Sequence, residues 1–141
     1  MTIRIFLDAS ALFAAAYSST GAARELLRLN LEKRVQLITN QIAVEEAERN
    51  LERKAPEGVA IFWAILNAFP IEVLSAPDLA EIQAAGEYVV PKDAPILAGA
   101  IASGAEYLAT FDRQHLIGID VGRIAPNLVI ATPGDILGQI R

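Results

Sequence analysis

Apolar and polar positions along this chain follow two rhythms, and the switches between them mark its elements. Ile3–Leu7 is a β-branched and aromatic run that stops at Asp8, the pattern of a buried central strand. Ser10 is placed to cap a helix through Ala11, Leu12, Phe13 and Ala16. Residues 21–31 put Ala22, Leu26, Leu27 and Leu29 inward and Arg24 and Arg28 outward, which predicts a second, amphipathic helix. Residues 35–39 read as a strand. Thr39 or Asn40 caps the next helix, Gln41–Lys54, whose apolar positions Ile42, Val44, Ala47 and Leu51 are sparse. Pro56-Glu57-Gly58 is a break. Residues 59–68 form a strongly apolar helix with Phe62 and Trp63, and 71–74 a strand. A helix then runs from Pro77-Asp78 through Ile82 and Ala85 to Tyr88.

The stretch 89–116, VVPKDAPILAGAIASGAEYLATFDRQHL, organises the rest. Asp93 and Pro95 head an apolar run, Ile96, Leu97, Ala98, Ala100 and Ile101, that predicts a buried helix. Ser103-Gly104 ends it. Tyr107 to Thr110 is a short strand that stops at Phe111-Asp112. The last strand is 127–131, and Thr132-Pro133-Gly134-Asp135 opens a terminal helix. Strands alternate with helices throughout, which predicts βαβ units, a parallel sheet and one domain over residues 1–141.

Composition narrows the function classes. No apolar run reaches membrane-spanning length, and MTIRIFLDAS meets Asp8 too early for a secretory leader. The absence of cysteine excludes disulfides and thiolate zinc sites and fits an intracellular, cytoplasmic protein. One histidine argues against a His-rich metal centre or a Ser-His-Asp triad. The net charge of −5 argues against a broad basic surface for nucleic acid. It leaves room for an acidic cluster that binds divalent metal, because a bound cation reverses the local sign.

Four acids stand at informative places: Asp8 and Asp112 at strand ends, Asp93 at a helix start and Glu46 within the third helix. Each has an ordinary reading. Asp8 and Asp93 fit helix caps, Asp112 a turn, and Glu46 a solvated acidic face shared with Glu45 and Glu48. Together they point further. Ligands bind beyond the C-terminal ends of parallel strands, so Asp8 and Asp112 share that edge. An all-carboxylate site selects Mg²⁺ or Mn²⁺ and, without a nucleophile, suits metal-assisted hydrolysis of a phosphodiester. Acids crowded in this way should have raised pKa values through mutual repulsion.

The segments FLDASAL, TNQIAVEEAERNL and KDAPILAGAIASGAEYLATFD resemble the pattern of PIN-domain ribonucleases, in particular small prokaryotic ones similar to VapC toxins. The resemblance runs from Ile5 to about Ile130. It implies a three-layer α/β/α sandwich and a Mg²⁺- or Mn²⁺-dependent endoribonuclease, with RNA as substrate and a cognate antitoxin as partner. By position its catalytic acids fall on Asp8, Glu46, Asp93 and Asp112, with Asp8, Asp93 and Asp112 as metal ligands. Ser10 and Thr110 match its supporting hydroxyls. Glu45 is the alternative to Glu46; on a helix the two point about 100° apart, so they cannot share a role. Phe111 stands where relatives often have Gly, a departure that narrows the pocket.

Among the remaining residues, His115 reads as a surface loop position. Lys92, Arg49, Arg53 and Arg113 are candidates for phosphate contact. Trp63, Phe62 and Phe69 read most simply as core; the sharper reading is an interface to an antitoxin or to a second copy in a homodimer. Competing readings are a DNA nuclease or phosphatase with the same site, and a non-catalytic interaction module. A receiver-like domain would need a lysine after a late strand, where this chain has Thr132-Pro133-Gly134.

Overall fold

The computed structural model describes residues 2–141. Five parallel strands form one sheet: β1 (Ile3–Leu7), β2 (Val35–Asn40), β3 (Glu72–Leu74), β4 (Tyr107–Ala109) and β5 (Val129–Ala131), in the order β3-β2-β1-β4-β5. The helices are α1 (Ala9–Tyr17), α2 (Ala22–Leu31), α3 (Gln41–Lys54), α4 (Gly58–Ala68), α5 (Leu79–Ala85), α6 (Ala94–Ala102) and α7 (Pro133–Ile140). A 3-10 turn, Pro91–Asp93, leads into α6. The architecture is the expected α/β/α sandwich. Among the described residues no helix is long and apolar enough to cross a membrane.

The strand order fixes where a site can form. From β1 the chain builds outward to β2 and β3, then returns to the other side for β4 and β5. That reversal opens a crevice above the C-terminal ends of β1 and β4. Leu7 pairs with Ala109, and the Asp8 amide donates to the Ala109 carbonyl at 3.0 Å, so Asp8 and Thr110 emerge side by side.

Packing sets the position of α6 with little freedom. Gly99 lies so close to β1 and β2 that an added Cβ would stand 2.5 Å from Asn40 Nδ2 and 2.9 Å from the Phe6 ring. Asn40, fully buried, accepts the Ala43 amide at 3.0 Å to cap α3, and its Nδ2 donates to the Pro95 carbonyl at 3.2 Å. One side chain thus ties the starts of α3 and α6 to the end of β2. The larger core cluster joins β1 and β2 to α1, α2, α3 and α4; a smaller one, with Ala85, Leu97 and Leu116, lies between α5, α6 and the loop after β4.

Three local expectations differ. Asp8, not Ser10, is the cap of α1, and Ser10 lies within its first turn. Helix α5 stops at Ala85 rather than reaching Tyr88, because Val90 must be extended before Pro91 and the chain turns at Gly86 to reach it. The aromatic trio divides: Phe62 is core and Phe69 half-buried, whereas Trp63 is 40% exposed and donates Nε1 to Glu48 at 2.6 Å.

Candidate active site

A polar cleft of about 330 Å³ opens at the crevice between β1 and β4. Its walls include Asp8, Ser10, Glu46, Asn50, Lys92, Asp93, Asp112 and His115, with Phe111 at the edge. Helix phase separates the neighbouring acids of α3. Glu46 is half-buried and lines the cleft, while Glu45 is exposed and lies outside it.

Asp8 is buried and held from three sides. Its Oδ1 accepts the Ala9 amide at 2.6 Å; its Oδ2 accepts Thr110 Oγ1 at 2.6 Å and Ser10 Oγ at 3.1 Å. Both hydroxyls also accept bonds from the loop after β4: Phe111 N donates to Ser10 Oγ at 3.0 Å, and Asp112 N to Thr110 Oγ1 at 3.1 Å. This network locks the strand-end tripeptide against the start of α1. Asp112 turns its own Oδ1 to the amides of Gln114 and His115, at 3.1 and 2.9 Å, so its cap-like turn and its place in the cleft coexist.

Asp93 is different. It stands where a helix cap would, yet its carboxylate makes no capping bond to α6. The residue is 6% exposed, and its Oδ2 has no hydrogen-bond partner. A buried carboxylate oxygen is costly to leave unpaired, so a partner outside the protein chain is called for. Ligand atoms of Asp93, Asp112 and His115 all lie within 4.8 Å of one another, and His115 Nδ1 is 3.6 Å from Asp112 Oδ2. Two carboxylates beside one imidazole are a donor set for a divalent cation; the carboxylates suit hard ions, and the imidazole also admits softer ones. The compact trio is thus two of the expected aspartates with His115. Asp8 and Glu46 line the same cleft without joining it.

A family model described as the PIN domain matches residues 5–118. The chain belongs to the PIN-domain family. No curated protein matches it. In fold this PIN domain is similar to the Rickettsia felis VapBC2 complex bound to a DNA fragment from its promoter, with TM-score 0.63 and 19% identity over 91% of this chain and 97% of that one. It is also similar to Mycobacterium tuberculosis VapC20, a sarcin-ricin loop cleaving toxin, with TM-score 0.60 and 20% identity over 78% of this chain and 91% of that one. DNA-bound VapBC from Salmonella typhimurium gives TM-score 0.60 and 19% identity over 94% and 99%. Identities this low make the likeness one of fold.

Within this PIN domain, Asp8, Glu46 and Asp93 all have raised pKa values. Burial is the largest cause for each, ahead of repulsion between the acids. For Asp8, bonds from Thr110, Ala9 and Ser10 oppose the rise, and Asp112 adds to it. For Glu46, Asp8 adds and Lys92 opposes; for Asp93, Lys92 opposes and Asp112 adds. Crowding was the expected cause, and desolvation outweighs it because Asp8 and Asp93 are nearly enclosed.

Sequence reasoning missed two residues here. His115 is the loop position it reads as, and its place beside Asp93 and Asp112 had one signal only, that it lies three residues after Asp112. Asn40 was read as a cap alone; its bond to Pro95 joins residues 55 apart and leaves no local trace. Among the basic candidates, Lys92 lines the cleft, Arg49 and Arg53 flank its Glu46 side, and Arg113 is exposed in the loop.

Proposed function

We propose that this PIN domain is a divalent-metal-dependent endoribonuclease that cuts single-stranded RNA, and that it acts as the toxin of a toxin–antitoxin pair. The observation that carries the reading is the unpartnered Oδ2 of Asp93, buried in a residue that lines an acidic cleft at the sheet's switch point. Asp8, Asp93 and Asp112 would hold Mg²⁺ or Mn²⁺, with His115 beside Asp93 and Asp112. When bound, the cation supplies charge neutralisation at phosphate and activation of water.

The chain's own residues account for the rest. Ser10 and Thr110 fix the Asp8 carboxylate through hydrogen bonds, so it needs no reorganisation when substrate arrives. Lys92 offers an ammonium to a phosphate oxygen. Glu46, with its pKa raised by burial, suits a general base that takes the proton from the attacking water at its carboxylate. Water then attacks phosphorus in line as the bond to the leaving ribose oxygen breaks, that oxygen takes a proton from solvent, and no covalent enzyme intermediate is needed. The antitoxin part of the reading draws support from the VapBC complexes among the similar folds; a homodimer and a cytoplasmic setting belong to the same reading.

The test compares wild type with Asp93→Asn on single-stranded RNA, single-stranded DNA and a phosphate monoester, in Mn²⁺ and in chelator. Cleavage of RNA alone, lost in chelator and in the variant, supports the reading. Equal cleavage of DNA or the monoester would assign another substrate, and full activity of the variant would displace the site. Co-purification with the product of an adjacent small gene encoding a DNA-binding protein tests the antitoxin.

A further inference from the structure

We propose that the apolar cleft beside the acids is a stacking subsite for an unpaired nucleobase adjoining the scissile phosphate. The inference rests on the ribonuclease reading above and extends it to how substrate is held. This second cleft, about 410 Å³, is lined by Phe13, Ala14, Tyr17, Lys54 and others, and it shares Ser10, Asn50 and Phe111 with the acidic cleft. A chain whose phosphate lies among the acids has its neighbouring base within reach across that shared wall.

The lining has the chemistry a base requires. Phe13 and Tyr17 stack with centroids 5.7 Å apart and 24° between planes, which presents an aromatic platform. Tyr17 is 65% exposed and Phe111 46% exposed, so apolar ring surface faces the solvent next to the site. The Phe111 backbone is pinned by the hydrogen bond its N–H donates to Ser10 Oγ, and the residue lines both clefts. Asn50 accepts Arg53 Nη2 at 2.7 Å on its Oδ1, leaving its amide NH₂ to donate to a base edge. Lys54 makes no ion pair among the described residues and adds a cation for the backbone. Proteins hold single-stranded nucleic acid by stacking bases on aromatic side chains beside cationic groups. Polar groups at intervals and continuity with the acidic cleft favour a nucleotide over an apolar protein segment as the occupant.

The experiment uses a short single-stranded oligoribonucleotide with a mapped cleavage site, intact or with an abasic nucleotide on one side of that site or the other. Wild type, Tyr17→Ala and Phe111→Leu are compared by kcat/KM, with thermal melts to verify folding. Tyr17 is largely exposed, so its truncation leaves the core intact. Wild type should lose about tenfold on the abasic substrate at one of the two positions. The variants should lose about as much on intact RNA and no more on the abasic one, since each change removes the same contact. Variants that cut intact RNA at the wild-type rate, or that show the full abasic loss, overturn the subsite while the ribonuclease reading stands. Failure of wild type to cut any RNA removes both. Loss of a protein partner in the variants with an unchanged abasic profile would assign the cleft to that partner and also overturn the inference.

Discussion

Thr110 Oγ1 donates to Asp8 and accepts from the Asp112 amide, so one hydroxyl fixes two of the cleft's acids. Thr110→Val keeps the volume and removes both bonds. It should cut activity by about 10- to 100-fold, as losing a partner behind a ligand typically does, with Thr110→Ser retaining most of it. Steady-state kinetics on RNA decide this; an unimpaired Val variant would mean Asp8 is oriented by its other contacts. On α3, Glu46→Gln should lose far more activity than Glu45→Gln, because Glu46 alone lines the cleft. Equal losses, or a greater loss at Glu45, would place the base elsewhere. The positions of Asp8 and Asp112 were legible in the sequence because each closes an apolar strand run. Thr110 and Ser10 were suggested by the family pattern, but their mutual contact links residues 100 apart and exists only once β1 and β4 are paired.

Helix α6 sets the place of Asp93 through one close approach. Gly99→Ala would drive a methyl into Asn40 and Phe6, both fully buried, and overpacking of this kind costs about 1–3 kcal/mol. Denaturant unfolding should show that loss, and RNA cleavage should fall further than stability alone explains because the start of α6 moves with its packing. Unchanged stability would mean that α6 shifts freely and that Asn40 does not hold it. The elements themselves were largely readable: long apolar periods gave the helices, and β-branched runs gave β1 and β2. The short outer strands were harder to bound. β3 and β5 pair on one side only and are mostly exposed or half-exposed, so local residue choice marks their ends weakly. Trp63 defeated the burial expectation because its indole N–H finds Glu48 at the surface, and hydrophobic scale alone does not register such a partner.

At the scale of the molecule, the acidic cleft links stability to pH and, under the proposed function, to metal. Asp8, Asp93 and Glu46 have folded pKa values above their ordinary ones of 3.8, 3.8 and 4.5. Below those values all three are protonated in both folded and unfolded chains, and the cleft carries no penalty. As pH climbs from about 4 through the raised values, the unfolded chain releases protons first, so the apo protein loses stability toward neutrality. A divalent ion that binds only the folded state offsets this by mass action, about 2.7 kcal/mol at a hundredfold excess over its dissociation constant. For a chain of this size that amounts to about 5–10 °C in Tm. The decisive measurement is a set of thermal melts from pH 4 to pH 7, in chelator and in millimolar Mn²⁺, on wild type and on Asp93→Asn/Asp112→Asn. The account predicts that wild type loses Tm toward pH 7 in chelator and regains it with Mn²⁺. The double variant should lose less in chelator and gain little from Mn²⁺. An equal Mn²⁺ shift in both proteins would place the ion elsewhere and contradict the account.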